Sequence, residues 1–446
     1  PPCRPSVTLP PIMTDLTHSR LLKIALPIVI SNATVPLLGA VDTGVVGQLG
    51  EAAPIGAVGV GAIILTTLYW VFGFLRMGTS GLAAQAHGAG DRAERGAILL
   101  RALLIGAVAG VGFILFQSLL FRAAFAIAPA GAEVEALARD YLAIRIWGAP
   151  ATIAAYAVTG WLIAVERTRG VLVLQLWING VNIVLDLWFV LGLGWGVPGV
   201  AWATLIAEWS GLVLGLWLCR DGLVPVWRAA VARVGDRAAL GVMFVVNRDI
   251  MLRSVLLQLS FTTFVFLGAR KGDVTLAANQ VLMQFVSIIA YALDGFAFAA
   301  ETLVGQAVGA RSLAAARRAG RLAMQWGIAG GVVLAVVFVA AGPWIIDLMT
   351  TAPEVRVEAR AYLGWVAVAA VVGVFPFIYD GIFIGATMTA EMRRTMMLST
   401  AIYAGALVVL VPVAGNHGLW AALMVFFVAR GVTMWRVYPG LAARIG

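Results

Sequence analysis

The chain has 446 residues, of which 61% are hydrophobic and only 12% are charged, and its formal net charge at pH 7 is +9. Ordinary soluble domains are about 45–50% apolar and about 25% charged, so most of the surface of this chain must face lipid. The composition excludes a soluble enzyme, a nucleic-acid-binding protein and a disordered protein.

Long apolar runs follow one another along almost the whole chain, after a polar, proline-rich segment at 1–20. A membrane-spanning helix needs roughly 20 mostly apolar residues, and about twelve runs meet that requirement. They lie at 21–49, 55–83, 96–121, 137–164, 171–193, 198–219, 242–268, 276–304, 319–341, 358–386, 395–413 and 418–437. The alternating polarity of a membrane β-barrel is absent, so the sequence predicts an all-α membrane protein with about twelve transmembrane helices.

Basic residues are concentrated in alternate loops between these runs. With the N-terminus in the cytoplasm, about 21 Lys and Arg residues fall in the inner loops and termini, and about six fall in the outer loops. Anionic inner-leaflet lipid and the membrane potential both favour this distribution. We therefore expect a multi-pass protein of the cell inner (plasma) membrane with cytoplasmic N- and C-termini.

The two halves of the chain are related by an internal repeat. One constant shift along the sequence, here called the repeat offset, superimposes Gln85 on Gln306 and Gly160 on Gly381, among other pairs. Each half contains six predicted spans, so both halves enter the membrane from the same side. This parallel arrangement is typical of secondary transporters with a substrate cavity between the halves. The predicted organisation is an N-terminal tail at 1–20, an N-lobe at 21–220, an amphipathic cytoplasmic linker at 221–241 and a C-lobe at 242–446.

Asp42 is the strongest candidate for a functional residue in the first run. An ionisable side chain inside a span is costly and is therefore a functional candidate. Pro27 and Pro36 precede it, and two prolines in one span remove backbone hydrogen bonds and permit the helix to bend. A carboxylate beside a bendable segment suits a switch driven by a proton or a cation. The alternative is a neutral Asp42 that a neighbouring helix satisfies.

A second candidate cluster contains Asp186, with Asn182 one turn before it and Thr204 on the next run. A carboxylate, an amide carbonyl and a hydroxyl are hard oxygen ligands that can hold a proton network or a small cation. A structural hydrogen bond between helices is the alternative. The repeat offset places no carboxylate at the positions equivalent to Asp42 and Asp186, so we assign the ion site to the N-lobe.

Charged residues also occur within the spans of the second half. They are Asp249, Arg253, Asp294, Glu301 and Asp380. Asp249 and Arg253 are four residues apart and could pair along one helix, and Asp294 and Glu301 share a helix face. These acids either line the cavity and attract cationic substrates or belong to a structural ion-pair network.

Other polar side chains in or near the spans carry weaker signals. Tyr156 and Tyr379 are candidates for stacking on a substrate, although membrane aromatics more commonly pack or anchor at the interface. For four further charged residues, paired structural roles are favoured over functional ones: Arg76, Arg145, Glu208 and Arg430.

The sequence contains no motif for catalysis, nucleotide binding or a metal centre. Its two cysteines and three histidines are isolated from one another. Since there is no ATP-binding domain, active export would have to draw on an ion gradient.

Several segments together resemble the multidrug and toxic compound extrusion (MATE) transporters, in particular their DinF-like branch. They are LLKIALPIVISN followed by Asp42, then QAHGAGD, NRDIMLRS, AYALDGFAFAAE and YDGIFIGAT. The resemblance covers about 17–437 and implies two six-helix lobes, a monomer without a cofactor, and drug/cation antiport. It also implies that Asp42, Asn182, Asp186 and Thr204 form the first-lobe site for H⁺ or Na⁺.

The sequence therefore predicts a secondary multidrug efflux transporter that exports amphipathic or cationic compounds in exchange for H⁺ or Na⁺ by alternating access. Its expected partners are small molecules and the lipid bilayer, and not nucleic acid. The main alternative is a flippase for a lipid-linked precursor, which should carry a ring of Arg or Lys for phosphate. A membrane-embedded enzyme and a passive channel are less favoured.

Overall fold

The computed structural model describes residues 16–48, 51–127 and 131–445. Within these ranges every regular element is a helix. Most of the predicted N-terminal tail, residues 1–15, lies outside the described residues.

The α-helices of the described residues are numbered here in chain order. They are α1 (His18–Ala33), α2 (Val35–Gly47), α3 (Ala52–Trp70), α4 (Gly73–Gly88), α5 (Arg92–Leu115), α6 (Gln117–Ile127), α7 (Ala132–Arg145), α8 (Ala149–Ala164), α9 (Thr168–Asp186), α10 (Gly196–Leu223), α11 (Trp227–Val234), α12 (Arg237–Ala269), α13 (Asp273–Gly309), α14 (Leu313–Met349), α15 (Pro353–Val372), α16 (Val374–Gly385), α17 (Thr389–Val437) and α18 (Leu441–Ile445). Short 3₁₀ turns and one π-helical turn, Leu187–Gly192, connect some of them.

The predicted transmembrane runs are found as helices. In the described ranges, 10 helical stretches are long and apolar enough to cross a membrane. The first predicted run, 21–49, falls on the two shorter helices α1 and α2. The last two runs, 395–413 and 418–437, both fall in α17, which Gly415 interrupts with a φ of 59°. The all-α membrane fold is confirmed, and the structure changes only how the runs are divided.

Apolar side chains cover much of the outside of these helices. Leu115, Val408 and Val413 are 74%, 76% and 85% exposed, respectively. Burying such surface from water is a main driving force of folding, so helices that leave it uncovered need a lipid environment. The structure therefore agrees with the composition in describing a multi-pass membrane protein.

The chain divides into two compact units. One, the N-unit, consists of Ile30–Ala83 and Asp91–Met243. The other, the C-unit, consists of the described residues up to Val29, the short stretch Ala84–Gly90, and the described residues from Phe244 onward. The C-unit thus contains the first part of α1 and the end of α4 in addition to most of the second half.

Inside the N-unit, helices from both ends of the sequence range contribute to one apolar core. Val46 of α2, Leu65 of α3, Tyr141 of α7 and Val200 of α10 are all at most 1% exposed and belong to the same cluster. This packing fixes α2 and α10 in place, and both helices carry candidate site residues.

The internal repeat is visible in the backbone of two pairs of connections. Gly90 and Arg311, which the repeat offset superimposes, have φ angles of 74° and 53°. Glu166 and Thr387, related by the same offset, have φ angles of 59° and 50°. Left-handed backbone is uncommon for residues other than glycine, so its recurrence at equivalent positions supports a common origin of the two halves.

Close helix crossings also recur at the repeat offset. A Cβ atom at Gly160 would overlap the carbonyl oxygen of Arg76 in the N-unit, and one at Gly381 would overlap that of Ala297 in the C-unit. The repeat offset relates the two glycines to each other and also the two residues that they contact. Glycine is required at these positions because only a missing side chain lets the two backbones approach so closely.

Within the predicted linker 221–241, Trp227–Val234 form α11, which belongs to the N-unit and is held there by an ion pair and hydrogen bonds. Arg233 Nη1 lies 2.7 Å from Asp91 Oδ2, and the buried Arg101 donates hydrogen bonds to the carbonyl oxygens of Arg233 and Val234. Asp91 also caps α5, because its side chain accepts a hydrogen bond from the Glu94 amide at 2.9 Å. The position of α11 on the membrane surface remains a prediction.

Candidate functional site

The four polar residues predicted to bind an ion are gathered in the N-unit. Asp42 lies on α2, Asn182 and Asp186 lie one turn apart on α9, and Thr204 lies on α10. Asn182 and Asp186 have no exposed surface, and Thr204 and Asp42 are only 4% and 9% exposed. The fold therefore buries side chains from three helices in one polar cluster.

Direct contacts join the members of this cluster. Asn182 Nδ2 donates a hydrogen bond to Thr204 Oγ1 at 3.0 Å, and Thr204 donates its own proton to the carbonyl oxygen of Val200 at 2.9 Å. The carboxyl groups of Asp42 and Asp186 lie near each other. A hydrogen bond between them would require a proton on one of the two carboxyls.

Several oxygens of the cluster have no hydrogen-bond donor among the described residues. They are both carboxylate oxygens of Asp186, Oδ1 of Asp42 and Oδ1 of Asn182. Buried polar atoms in proteins are normally paired, so a group of unpaired oxygens needs an explanation. Two facing carboxylates repel each other unless a proton or a cation lies between them. The cluster has the chemistry to hold either.

The backbone is irregular on both sides of the cluster. The first predicted run breaks at Thr34, just before Pro36 at the start of α2, where a missing N–H is tolerated. The carbonyl oxygen of Thr34 accepts a hydrogen bond from Asn179 Nδ2 of α9 at 3.2 Å. Directly after Asp186, α9 gives way to the π-helical turn, a feature that is frequent at functional sites.

A buried ion pair lies near the two carboxylates. Arg145 Nη1 is 2.8 Å from Glu208 Oε2, and the side chains are 10% and 13% exposed. Arg145 Nε also donates to the hydroxyl of Tyr141 at 3.3 Å, and its charge acts on both Asp42 and Asp186. Arg145 and Glu208 are both paired, as predicted, and the structure shows that each is the partner of the other. Since Glu208 already balances Arg145, the two aspartates lack a full compensating charge.

Asp380 in the C-unit is a paired carboxylate. It is 7% exposed and accepts hydrogen bonds from Nη2 of both Arg253 and Arg430, the latter at 2.7 Å. The two arginines are 5% and 2% exposed. The geometry of Asp380 therefore matches a structural ion-pair network and not an unpaired acid that lines a substrate cavity. The predicted pairing of Arg430 is confirmed.

The predicted pairing of Asp249 with Arg253 along α12 is wrong. Asp249 instead lies 2.7 Å from Arg393 Nη1 and 3.0 Å from Arg248 Nη2. A pair four residues apart on one helix contributes only about 0.2–0.5 kcal/mol. Buried charges are costly unless paired, and Asp249 obtains its pairs from the adjacent Arg248 and from Arg393 on the packed helix α17.

The remaining candidate substrate residues are distributed over both units. On α13, Glu301 is fully buried and Asp294 is half-buried. Tyr379 on α16 is half-buried, and its ring centroid lies 5.8 Å from that of Tyr438. Tyr156 packs against an apolar cluster of the N-unit. Their substrate contacts remain predictions.

Comparison with known proteins places the chain in a family. The MatE family matches residues 27–188 and 250–413. DNA damage-inducible protein F from Escherichia coli (strain K12) is 40% identical over 447 residues, which cover 95% of this chain and 94% of that protein. A probable multidrug resistance protein NorM from Deinococcus radiodurans is 28% identical, and the match covers 95% of this chain and 96% of that protein. The structure of the MATE transporter VcmN from Vibrio cholerae in the bent form matches with a TM-score of 0.86 at 19% identity. The match covers 96% of this chain and 97% of that chain.

An all-helical membrane fold with an internal repeat and a buried acidic cluster in one half defines the class of secondary transporters. The match to the family model and the identity to the Escherichia coli protein identify one family within this class. The chain belongs to the MatE family of multidrug and toxic compound efflux transporters, and it is therefore a transporter and not an enzyme.

Proposed function

We propose that the protein is a secondary active exporter of amphipathic or cationic compounds, driven by H⁺ or Na⁺ entering at Asp42 and Asp186. The observation that carries this proposal is the pair of buried, facing carboxylates without a donor among the described residues. The acidic cluster and the family together favour export through a bacterial inner membrane by a monomer. By the expected topology, both termini lie in the cytoplasm.

Binding of the coupling ion changes the electrostatic energy of the cluster. With Asp42 and Asp186 both charged, and Arg145 matched by Glu208, the buried cluster carries two uncompensated negative charges. A charge in a low-dielectric interior is costly, so the empty and the ion-bound cluster favour different conformations. Each positive charge that moves inward across 100 mV adds roughly 2.3 kcal/mol of driving force.

The break between α1 and α2 provides a segment that can respond to this change. Asp42 lies eight residues after Thr34, on the same helix that starts at the break. The bond from Asn179 to the Thr34 carbonyl oxygen connects the break to α9, which also carries Asp186. Bending of the first run near Pro27 or Pro36, with alternating access as the consequence, is therefore the mechanism we propose.

The test is transport in proteoliposomes that contain the purified protein. Efflux of a fluorescent cationic dye is followed under an imposed pH gradient and then under a Na⁺ gradient. We expect Asp42→Asn and Asp186→Asn each to lose gradient-driven efflux. The control is Asp221→Asn, since the Asp221 side chain in the same unit is 60% exposed and lies outside the cluster. Unchanged efflux in both cluster variants would refute the coupling role.

A third variant distinguishes the two ions. Asn182→Ala removes an unpaired amide oxygen and the bond to Thr204 but leaves both carboxylates in place. A proton needs only the carboxylates, whereas Na⁺ is held by a set of several oxygen ligands. If Na⁺ drives export, Asn182→Ala should lose Na⁺-driven efflux; if H⁺ does, pH-driven efflux should persist.

The pairing of three buried arginines does not favour a flippase. Arg145, Arg253 and Arg430 are each paired with a carboxylate. A translocation site inside the helix bundle for the phosphate of a lipid-linked precursor would need buried cations that are not already paired. Dye efflux in the assay above would support the exporter, and an absence of efflux under both gradients would shift the balance towards the flippase.

A further inference from the structure

An apolar groove and a basic pocket lie side by side on the surface of the C-unit. The groove has a volume of ≈ 470 Å³ and runs between α14, α16 and the second part of α17. Its walls include Met324, Phe375, Tyr379, Phe427 and Trp435. None of these side chains belongs to the ion-pair network around Asp380.

The groove opens towards the outside of the helix bundle. Phe375 is 41% exposed, Val432 is 40% exposed and Trp435 is 61% exposed, and all three line the groove. An exposed apolar surface on membrane helices is suited to contact with lipid. An apolar groove of this size has the chemistry to accept an acyl chain.

The basic pocket has a volume of ≈ 290 Å³ and is lined by Arg318, Arg321, Leu322 and Gln325 of α14. Arg318, Arg321 and Gln325 are spaced three and four residues apart, so they project from one helix face. Arg318 and Arg321 are exposed. Within the described part of the chain, no hydrogen bond or ion pair joins either guanidinium to another residue.

The two features adjoin on α14. Met324 of the groove follows Arg321 of the pocket by three residues, a spacing that places side chains next to each other on a helix. Tyr438 packs against the groove residue Tyr379, and its hydroxyl lies close to Gly320, the neighbour of Arg321. A single amphipathic molecule could therefore place an anionic group in the pocket and an apolar chain in the groove.

We propose that this surface binds an anionic phospholipid, with the phosphate at Arg318, Arg321 and Gln325 and an acyl chain in the groove. Guanidinium groups form strong, directional hydrogen bonds to phosphate oxygens. Clustered basic side chains next to the cytoplasmic membrane surface attract anionic lipid headgroups, and Trp435 has the amphipathic ring typical of the interface. By the expected topology, the pocket lies at the cytoplasmic end of α14.

The test is native mass spectrometry of the purified full chain in detergent with added lipid. The probes are phosphatidylglycerol, phosphatidylcholine with the same acyl chains, and soluble glycerol 3-phosphate. We expect phosphatidylglycerol to bind about thirtyfold more tightly than phosphatidylcholine, because each guanidinium contributes about 1 kcal/mol near a membrane surface. Glycerol 3-phosphate alone should not bind measurably.

Variants separate the two parts of the site. Arg318→Gln with Arg321→Gln should abolish the preference for phosphatidylglycerol, and Val432→Trp should weaken binding of both lipids by filling the groove. Matched controls are Arg169→Gln with Arg228→Gln, a pair of exposed arginines in the N-unit, and Val408→Trp at a 76% exposed position. Both controls should bind lipid as the unaltered protein does.

Three results would overturn the proposal. They are equal binding of the two lipids, a preference that persists without the two arginines, and binding of glycerol 3-phosphate as tight as that of the lipid. A photoactivatable phosphatidylglycerol supplies a measurement on the unaltered protein that does not depend on any variant folding. Its label should appear on α14 and on the second part of α17, and labelling confined to other helices would contradict the assignment.

Discussion

Asp380→Asn is the substitution that most directly tests the buried ion pairs of the C-unit. The side chain would keep its size and lose its charge. Arg253 and Arg430, which are 5% and 2% exposed, both donate to the same carboxylate oxygen of Asp380. The variant would therefore leave two buried guanidinium cations next to each other without a counter-charge.

The expected loss of stability is large. Removing one partner of a buried ion pair costs about 3–5 kcal/mol, and here one substitution removes the partner of two cations. Unfolding entropies of roughly 2.1 cal/mol/K per residue convert this into a decrease of about 3–5 °C in the melting temperature. The assay is thermal unfolding of the purified protein in detergent, followed by intrinsic fluorescence.

A matched control exists within the same unit. The Asp347 carboxylate also contacts two arginines, Arg360 at 2.6 Å and Arg356 at 3.5 Å, but it is 36% exposed. Solvent-exposed ion pairs contribute less than about 1 kcal/mol, so Asp347→Asn should change the melting temperature little. Because the two variants make the same chemical change, their difference isolates the effect of burial.

The reasoning would be refuted if Asp380→Asn were as mild as Asp347→Asn. A second comparison uses the double variant with Arg253→Gln, which removes one of the two uncompensated cations. It should be more stable than Asp380→Asn alone, since residues in one network are energetically coupled. Additive losses from the two substitutions would show that the carboxylate does not hold the arginines as described.

Two further predictions use the internal repeat. Asp91 and Ser312 cap equivalent helices, so Asp91→Ala and Ser312→Ala should each cost about 1 kcal/mol at neutral pH. Burial favours a higher pKa for Asp91, but hydrogen bonds from the backbone and from Arg233 outweigh it and lower the pKa. The melting-temperature difference between the unaltered protein and Asp91→Ala should therefore shrink as pH falls through that lowered pKa. The melting-temperature difference between the unaltered protein and Ser312→Ala should stay constant as pH falls. If the two differences changed with pH in parallel, the contribution of the charged Asp91 side chain would be contradicted. Gly160→Ala should destabilise by about 1–3 kcal/mol because its Cβ would overlap a backbone carbonyl, whereas Gly112→Ala, with nothing within 4 Å, should not. Equal melting temperatures for the two glycine variants would refute the close crossing.

Much of the fold could be predicted because a membrane restricts the choices. Every backbone group inside lipid must be paired within its own segment, so an apolar run of sufficient length becomes a helix. The twelve runs are therefore found as helices, and the repeat offset reappears in the turns at Gly90 and Arg311. The break at Gly415 falls between the predicted runs 395–413 and 418–437. The division of the first run at Thr34 was not predicted, since hydropathy does not report a local change of backbone direction.

The candidate site was only partly predictable. Asp42, Asn182, Asp186 and Thr204 were singled out because polar groups are expensive inside a span, and the structure brings them into one cluster. The Arg145–Glu208 pair beside the cluster was not predicted. Glu208 follows Thr204 by one turn on α10, but nothing in the sequence shows that Arg145 of α7 packs against it.

The sequence by itself determined the environment and the helical architecture of this protein, because both follow from local composition and from hydrogen bonding within single segments. Only the tertiary structure decided which charges compensate one another. Arg253 pairs with Asp380 and not with Asp249, four residues away on its own helix. The physical reason is that the cost of burying a charge depends on the side chains packed around it, and these come from distant parts of the chain.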